Sequence, residues 1–195
     1  MRKSKNNSLL LKKFERLLSE AFSVFREFSP IYDEILQNPS FIETPKRFYQ
    51  VLVEMSSGIV SPPPELKWFP TNSKGILIKG PIEAFSLCPH HLLPIHLKFL
   101  IGIKYDGYVL GISKITRTVI WATRKLLLQE DITRVIVDRL WNEGINYNVK
   151  GVLVLCSGEH LCEKIRGIKK GVYTITLEKR GEFDNNILQL LKKLL

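Results

Sequence analysis

Three of the four histidines in this 195-residue chain, His90, His91 and His160, lie within three residues of Cys88 or Cys162. Thiolates and imidazoles are the usual protein ligands of zinc, and three of them with one open position make a catalytic site, whereas four make a closed structural one. Residues two apart in extended chain share a face, so His160 and Cys162 are expected to look into one pocket. Cys156 has the same parity, but six residues of strand span about 20 Å, and it is read as a core residue. In Cys88-Pro89-His90-His91 the proline holds Cys88 extended, and adjacent imidazoles in extended chain point apart, so one ligates and the other is free for chemistry. His96, with no partner near it in sequence, is assigned to the sheet surface. Two plainer readings compete: buried thiols beside satisfied core histidines, and a structural zinc knot on Cys88, a histidine, His160 and Cys162. The chain has no CxxC pair, which weighs against the knot.

A second group of residues could hold an anion. Gly111-Ile112-Ser113-Lys114 reads as a strand end running into a helix, with Ser113 placed to cap it and free amides available to a phosphate. Lys114 and Arg117, three apart, share a helical surface, and Arg166 follows Cys162 by four residues. A solvated basic face is the plainer interpretation. Gln129-Glu130-Asp131 opens a helix, where acidic residues complement the dipole. A carboxylate accepting two parallel N–H bonds is also the natural reader of the N1–H and N2–H edge of guanine.

The elements that must position these residues follow from hydrophobic periodicity. Leu10, Phe14, Leu17, Leu18, Phe22 and Phe25 recur at helical spacing over 8–28 until Pro30. Thr44-Pro45 starts a second helix over 46–57 that stops at Gly58. After Pro62-Pro63-Pro64 the pattern turns extended, with strands over 76–78, 82–87, 97–105 and 108–112, the last two joined by a hairpin turn at Asp106-Gly107. Helices over 113–126 and 131–142, strands over 149–155 and 172–177, and a helix over 186–194 complete the chain. The expectation is an α+β fold, an antiparallel sheet with two helices packed on one face, preceded by N-terminal helices. Residues 1–60 form the N-terminal helical segment and 61–195 the catalytic domain.

Composition bounds the function. A formal charge of +10 and 45 % hydrophobic residues describe a folded chain with a positive field that favours an anionic partner. No apolar run approaches the roughly 20 residues of a membrane helix, and the basic N-terminus lacks the apolar core of a signal peptide. A cytoplasmic protein with no membrane partner is expected. Three cysteines are too few for a disulfide scaffold.

The segments SLCPHHLLP (86–94), VLGISKITR (109–117), LQEDIT (128–133) and EHLCEKIRG (159–167) resemble those of the GTP cyclohydrolase I family. The likeness continues through ETPKRFYQVLVEM (43–55) and YTITLEKRGEF (173–183). It implies zinc (Zn2+) held by Cys88, His91 and Cys162, with His90 and His160 as further functional histidines. It also implies triphosphate contacts from Arg47, Ser113, Lys114, Arg117 and Arg166, and guanine reading by Gln129 and Glu130. The implied substrate is GTP, whose imidazole ring is opened with loss of formate to give 7,8-dihydroneopterin triphosphate, with His160 protonating N7 and His90 and Ser113 assisting the ribose rearrangement. The implied architecture is the tunnelling fold (T-fold), a homo-oligomer of two pentamers paired as a decamer, in which Arg47 would reach a neighbour's site. Such enzymes feed pterin pathways, tetrahydrofolate biosynthesis among them. Two positions depart from the family pattern: Pro89 stands where Glu is usual, removing a carboxylate and an N–H from the loop, and Leu127 where Gln is frequent. The alternatives are a paralogue on the same fold acting on another purine or pterin, and a basic zinc-stabilised nucleic-acid binder. The latter lacks the interleaved aromatic and basic residues of a stacking platform.

Overall fold

The computed structural model describes residues 2–183, with side chains from residue 8 onward; the helix expected over 186–194 lies outside the described residues. The chain forms two compact units, Met1–Glu54 and Met55–Leu195.

The first unit is helical. Helix α1 spans Arg2–Ser23 and ends in a 3₁₀ turn, Val24–Glu27, followed by α2 (Ile31–Gln37), α3 (Pro39–Ile42) and α4 (Thr44–Met55). The aromatic members of the α1 stripe find partners: Phe14 lies 5.3 Å from Tyr49 and Phe22 5.2 Å from Phe41, ring centre to ring centre. Such tilted and edge-on ring pairs add to the area they bury.

In the second unit a short helix α5 (Ser57–Val60) precedes β1 (Trp68–Leu87), β2 (Pro94–Leu110), α6 (Ile112–Thr123), α7 (Gln129–Gly144), β3 (Gly151–His160), α8 (Leu161–Lys164) and β4 (Tyr173–Gly181). The four strands are antiparallel in the order β1-β2-β3-β4. This is the α+β architecture expected, with both long helices inserted between the two strand pairs. Alternation sends Leu97, Phe99, Ile101 and Ile103 of β2 to one face, where the register aligns them with Gly158, Cys156, Val154 and Val152 of β3. Ile115, Val119 and Ala122 of α6 and Ile132, Ile136, Val137 and Leu140 of α7 cover that face, and all seven are fully buried. Cys156 sits within this core, as the six-residue spacing implied, and burial pushes its thiol far up. A smaller cluster of Leu100, Leu153 and Leu155 with Phe183 occupies the opposite face.

The hairpin expected at Asp106-Gly107 does not form. Strand β2 runs straight through it, with Lys74 opposite Asp106 and Pro70 opposite Tyr108. Gly107, at φ +83°, faces the three-residue excursion 71–73 of β1, so the Asp-Gly conformational freedom serves a bulge instead of a turn. The strands expected over 76–78 and 82–87 are one strand whose register shifts at Gly80-Pro81, where proline offers no N–H to the ladder. The β1–β2 turn is the six-residue segment 88–93, which carries the first cysteine and both adjacent histidines.

Candidate active site

Three elements meet at the 88–93 end of the sheet: the β1–β2 turn, the junction of β3 with α8, and the N-terminus of α7. They line a cavity of about 240 Å³ that takes in Cys88, His90, His91, Gln129, Glu130, His160 and Cys162.

The turn is tightly closed. Cys88 N donates to Leu93 O at 2.8 Å, and Cys88 O accepts from Leu92 N at 2.7 Å and His91 N at 3.3 Å, with Leu92 in the left-handed region at φ +53°. Proline suits the second position of such a turn because its φ is preset. The turn takes in Pro89, His90 and His91, so the extended chain expected through the two histidines is absent and their imidazoles do not diverge: His90 Nδ1 lies 3.8 Å and His91 Nδ1 3.6 Å from Cys88 Sγ.

At the other wall, β3 ends at His160 and the chain coils at once into α8. Cys162 is thus on a helical turn, and that turn, not strand alternation, brings it to the cavity beside His160. A Lys164–Glu159 ion pair at 2.7 Å and the Ile165 N–Leu161 O bond at 3.0 Å brace the turn.

Among the described residues, one group of possible ligands converges: Cys88, His160 and Cys162 offer ligand atoms that all lie within 4.8 Å of one another. The histidine in that group is His160, whereas the family resemblance names His91, which sits against Cys88. Burial, together with the hydrogen bond and proximity of Cys88, holds the Cys162 thiol above its ordinary range. Two neighbouring thiols with imidazoles beside them form a donor set that a soft divalent cation would satisfy. Burial lowers the pKa of His160, opposed by the carboxylates of Glu130 and Glu163, so its resting form at neutral pH is the uncharged ring.

Gln129, the first residue of α7, is 2 % exposed and lies across β3 and β4. Its Nε2 donates to Thr174 O at 2.9 Å, and its Oε1 lies 3.0 Å from His160 Nε2. Glu130, next in the helix, is exposed at the cavity rim.

The remaining candidates are not in that lining. Ser113, Lys114 and Arg117 are on α6, outside the cavity lining; Gly111 is the N-cap of that helix, and the Ser113 hydroxyl makes no capping bond. Arg117 instead borders a separate hollow of about 260 Å³ with Ser57, Trp121 and Arg124. Arg166 follows α8 on an exposed stretch. Arg47 belongs to the first unit, where its guanidinium pairs with Glu43 at 3.2 Å and donates to Ser40 O at 3.1 Å. His96 is not solitary: it stacks on Phe85 at 4.9 Å, with Nε2 3.6 Å from Glu83. Two polar residues of the lining, Glu163 and Thr174, are not among the candidates the sequence offers. Glu163 was legible as an acid next to a cysteine, whereas Thr174 contributes through its backbone and left no sequence signal.

The family model described as GTP cyclohydrolase I matches residues 24–192. A protein from Pyrobaculum aerophilum named GTP cyclohydrolase 1 is 38 % identical over 155 residues, covering 77 % of this chain and 81 % of that protein. A Clostridium kluyveri protein of the same name is 37 % identical over 163 residues, with 80 % and 86 % covered, and one from Saccharolobus islandicus 33 % over 185 residues, with 88 % and 86 % covered. Among solved structures, that of apo archaeosine synthase QueF-Like aligns with 58 % of this chain and 99 % of its own at a TM-score of 0.42 and 16 % identity.

Proposed function

Because the chain belongs to the GTP cyclohydrolase I family, we propose that the cavity at the end of the sheet is where the imidazole ring of GTP is opened. The chain is an enzyme acting on GTP, with hydrolytic ring opening, release of formate and formation of 7,8-dihydroneopterin triphosphate as its reaction. The observation that carries the location is the convergence of Cys88, His160 and Cys162 in a cavity whose rim holds Glu130. Nothing in that cavity favours a paralogous substrate or a nucleic-acid surface.

In this reading zinc would be held by Cys88, Cys162 and His91, which leaves His160, beside the two thiols, free for proton transfer. When bound, zinc supplies the Lewis acidity that makes water a nucleophile near neutral pH. The rest of the work belongs to the chain. At the α7 N-terminus, Gln129 and Glu130 set the guanine edge, the Glu130 carboxylate accepting N1–H and N2–H together. His160, neutral at rest, takes up a proton and delivers it to N7 as water adds to C8. The C8–N9 bond then breaks to leave C8 as a formyl group on N7; a second water adds to that carbonyl and the C8–N7 bond breaks, so that C8 departs as formate and N7 and N9 each keep a hydrogen. A general acid–base group so placed contributes about 10²–10⁴-fold. His90 and Ser113 handle protons during ribose opening. Lys114, Arg117, Arg166 and Arg47 neutralise the triphosphate, in keeping with the net charge of +10.

The residues of α6 and the first unit meet the cavity through assembly, in a decamer of two pentamers whose sheets join edge to edge as the tunnelling fold allows. Closing β1 and β4 against neighbours removes two open sheet edges. In this arrangement residues 1–60 serve as a helical segment that presents Arg47, and 61–195 as the catalytic domain. No described helix is long and apolar enough to cross a membrane, and we assign the enzyme to the cytoplasm. The test is oxidised-neopterin fluorescence from purified protein with GTP and zinc, beside His160→Ala. Fluorescence that grows with time and is lost in the variant supports the reading; no product from the zinc-loaded protein refutes it.

A further inference from the structure

The orientation of the Gln129 amide can be deduced from its partners. Its nitrogen lies 2.9 Å from Thr174 O, 3.3 Å from Thr176 Oγ1 and 3.5 Å from Cys156 O. Two of these are carbonyl oxygens, which only accept, so the NH₂ group must face them; the flipped amide would press oxygen against oxygen at a buried site. The Oε1 atom is therefore the one that faces His160 Nε2 at 3.0 Å. An amide oxygen cannot donate, so Nε2 must carry the hydrogen. A neutral imidazole has only one, which leaves the lone pair on Nδ1.

The backbone makes room for this arrangement. Gly158 lies between Leu97 and Thr174 in the sheet, two residues before His160. A Cβ built there would overlap Gln129 Oε1 and stand 2.9 Å from its Cδ. Its φ is ordinary, so glycine is required at 158 for the space, through which the amide reaches across β3. Thr133, one turn along α7, donates to Gln129 O at 2.8 Å and so braces the helix start.

We propose that Gln129 is a positioning residue that holds His160 as its Nε2–H tautomer and presents Nδ1 to the cavity, with Gly158 as the gap that admits it. The side-chain amide is then committed to the histidine. Position 129 meets guanine through its main-chain N–H, which as the first of the helix has no partner within it. The kinetic part of the proposal rests on the reading of this cavity as the cyclohydrolase site; the tautomer does not.

The experiment is long-range ¹H–¹⁵N correlation of the histidine rings in the zinc-loaded full chain at pH 8, with His160 assigned by His160→Ala. Wild-type protein should show the Nε2–H tautomer. Gln129→Leu and Gly158→Ala should each give mixed tautomers or the Nδ1–H form, and lower kcat about 10- to 100-fold, with KM for GTP within about twofold of wild type. An Nδ1–H tautomer in wild type, or an unchanged Nε2–H tautomer in both variants, overturns the proposal. So does a rise in KM with kcat preserved, which would assign the amide to guanine. Should Gln129→Leu not fold, Gly158→Ala decides alone, since it leaves both polar side chains in place. If the wild-type protein released no formate, the tautomer would still decide the proposal, so its failure is distinct from that of the functional reading.

Discussion

On the helix-covered face of the sheet, the row through Ile101 and Val154 and its neighbour through Phe99 and Cys156 are packed by aliphatic side chains of α6 and α7. Two rows nearer the end, at Leu97–Gly158–Thr174 and Ile95–His160, the same face and the same strands carry a buried amide, an imidazole and a glycine gap. In the first region burial is non-directional, and any apolar side chain of the right volume would serve. In the second each buried polar group must find a partner at a fixed angle, because an unpaired one costs about 1–3 kcal/mol. Substitutions in the core should therefore change how much protein is folded. Substitutions at the end of the sheet should change what the folded protein does.

The sharpest break of that comparison is Cys162→Ala. Zinc content should fall from about one per chain and GTP turnover should vanish, with the circular dichroism spectrum retained; Cys156→Ala, made in the core, should keep its zinc. Metal analysis of the two purified variants checks this, and equal zinc in both would erase the distinction. Next in size is His160→Ala, which should lower kcat about 10²–10⁴-fold, with a stability loss of no more than about 1–3 kcal/mol where the Gln129 amide oxygen loses its partner. Phe99→Ala reverses the pattern. Loss of this fully buried ring should cost about 3–5 kcal/mol in urea unfolding, with turnover per folded, zinc-loaded molecule close to wild type. The smallest effect is expected at the surface. Lys104 holds the exposed Glu182 carboxyl below its ordinary pKa through a 2.9 Å bond. A carboxylate with a lowered folded-state pKa adds stability above its ordinary pKa and loses that contribution as pH falls through the lowered value. At this fully exposed site, Glu182→Gln should leave Tm at pH 7 unchanged, and any small difference from wild type should disappear on acidification.

How far the sequence reveals each region follows the same division. Periodicity alone locates α6 and α7, and apolar, β-branched runs locate β2 and β3, because packing imposes the pattern. Turn chemistry is less decisive. Asp106-Gly107 permits a hairpin, but pairing with β1 continues on both sides of it, at Lys74–Asp106 and Pro70–Tyr108, and the glycine is used in a bulge. The chemistry-bearing residues His90, His91, Cys88, His160 and Cys162 are visible from their types and clustering, yet the reason they converge is not. Strand parity relates His160 to Cys162 only if both are in a strand, and the α8 turn depends on the Glu159–Lys164 pair and on backbone closure. Likewise the Cys88–Leu93 turn rests on main-chain bonds that leave no residue signature. The environment of Gln129 was out of reach for a further reason: it joins α7, β3 and β4, and its partners at Thr174 and Cys156 are carbonyl oxygens. Arg47, Ser113, Lys114, Arg117 and Arg166 are recognised through family resemblance, and the four in the second unit, Ser113, Lys114, Arg117 and Arg166, are not in the cavity lining.

The most direct test of the account is the fate of carbon 8. GTP labelled with ¹³C at that position, incubated with the zinc-loaded protein and followed by ¹³C NMR, should yield labelled formate in step with unlabelled 7,8-dihydroneopterin triphosphate, one for one. Label that stays in an intact purine, or that is retained in the product, would contradict it.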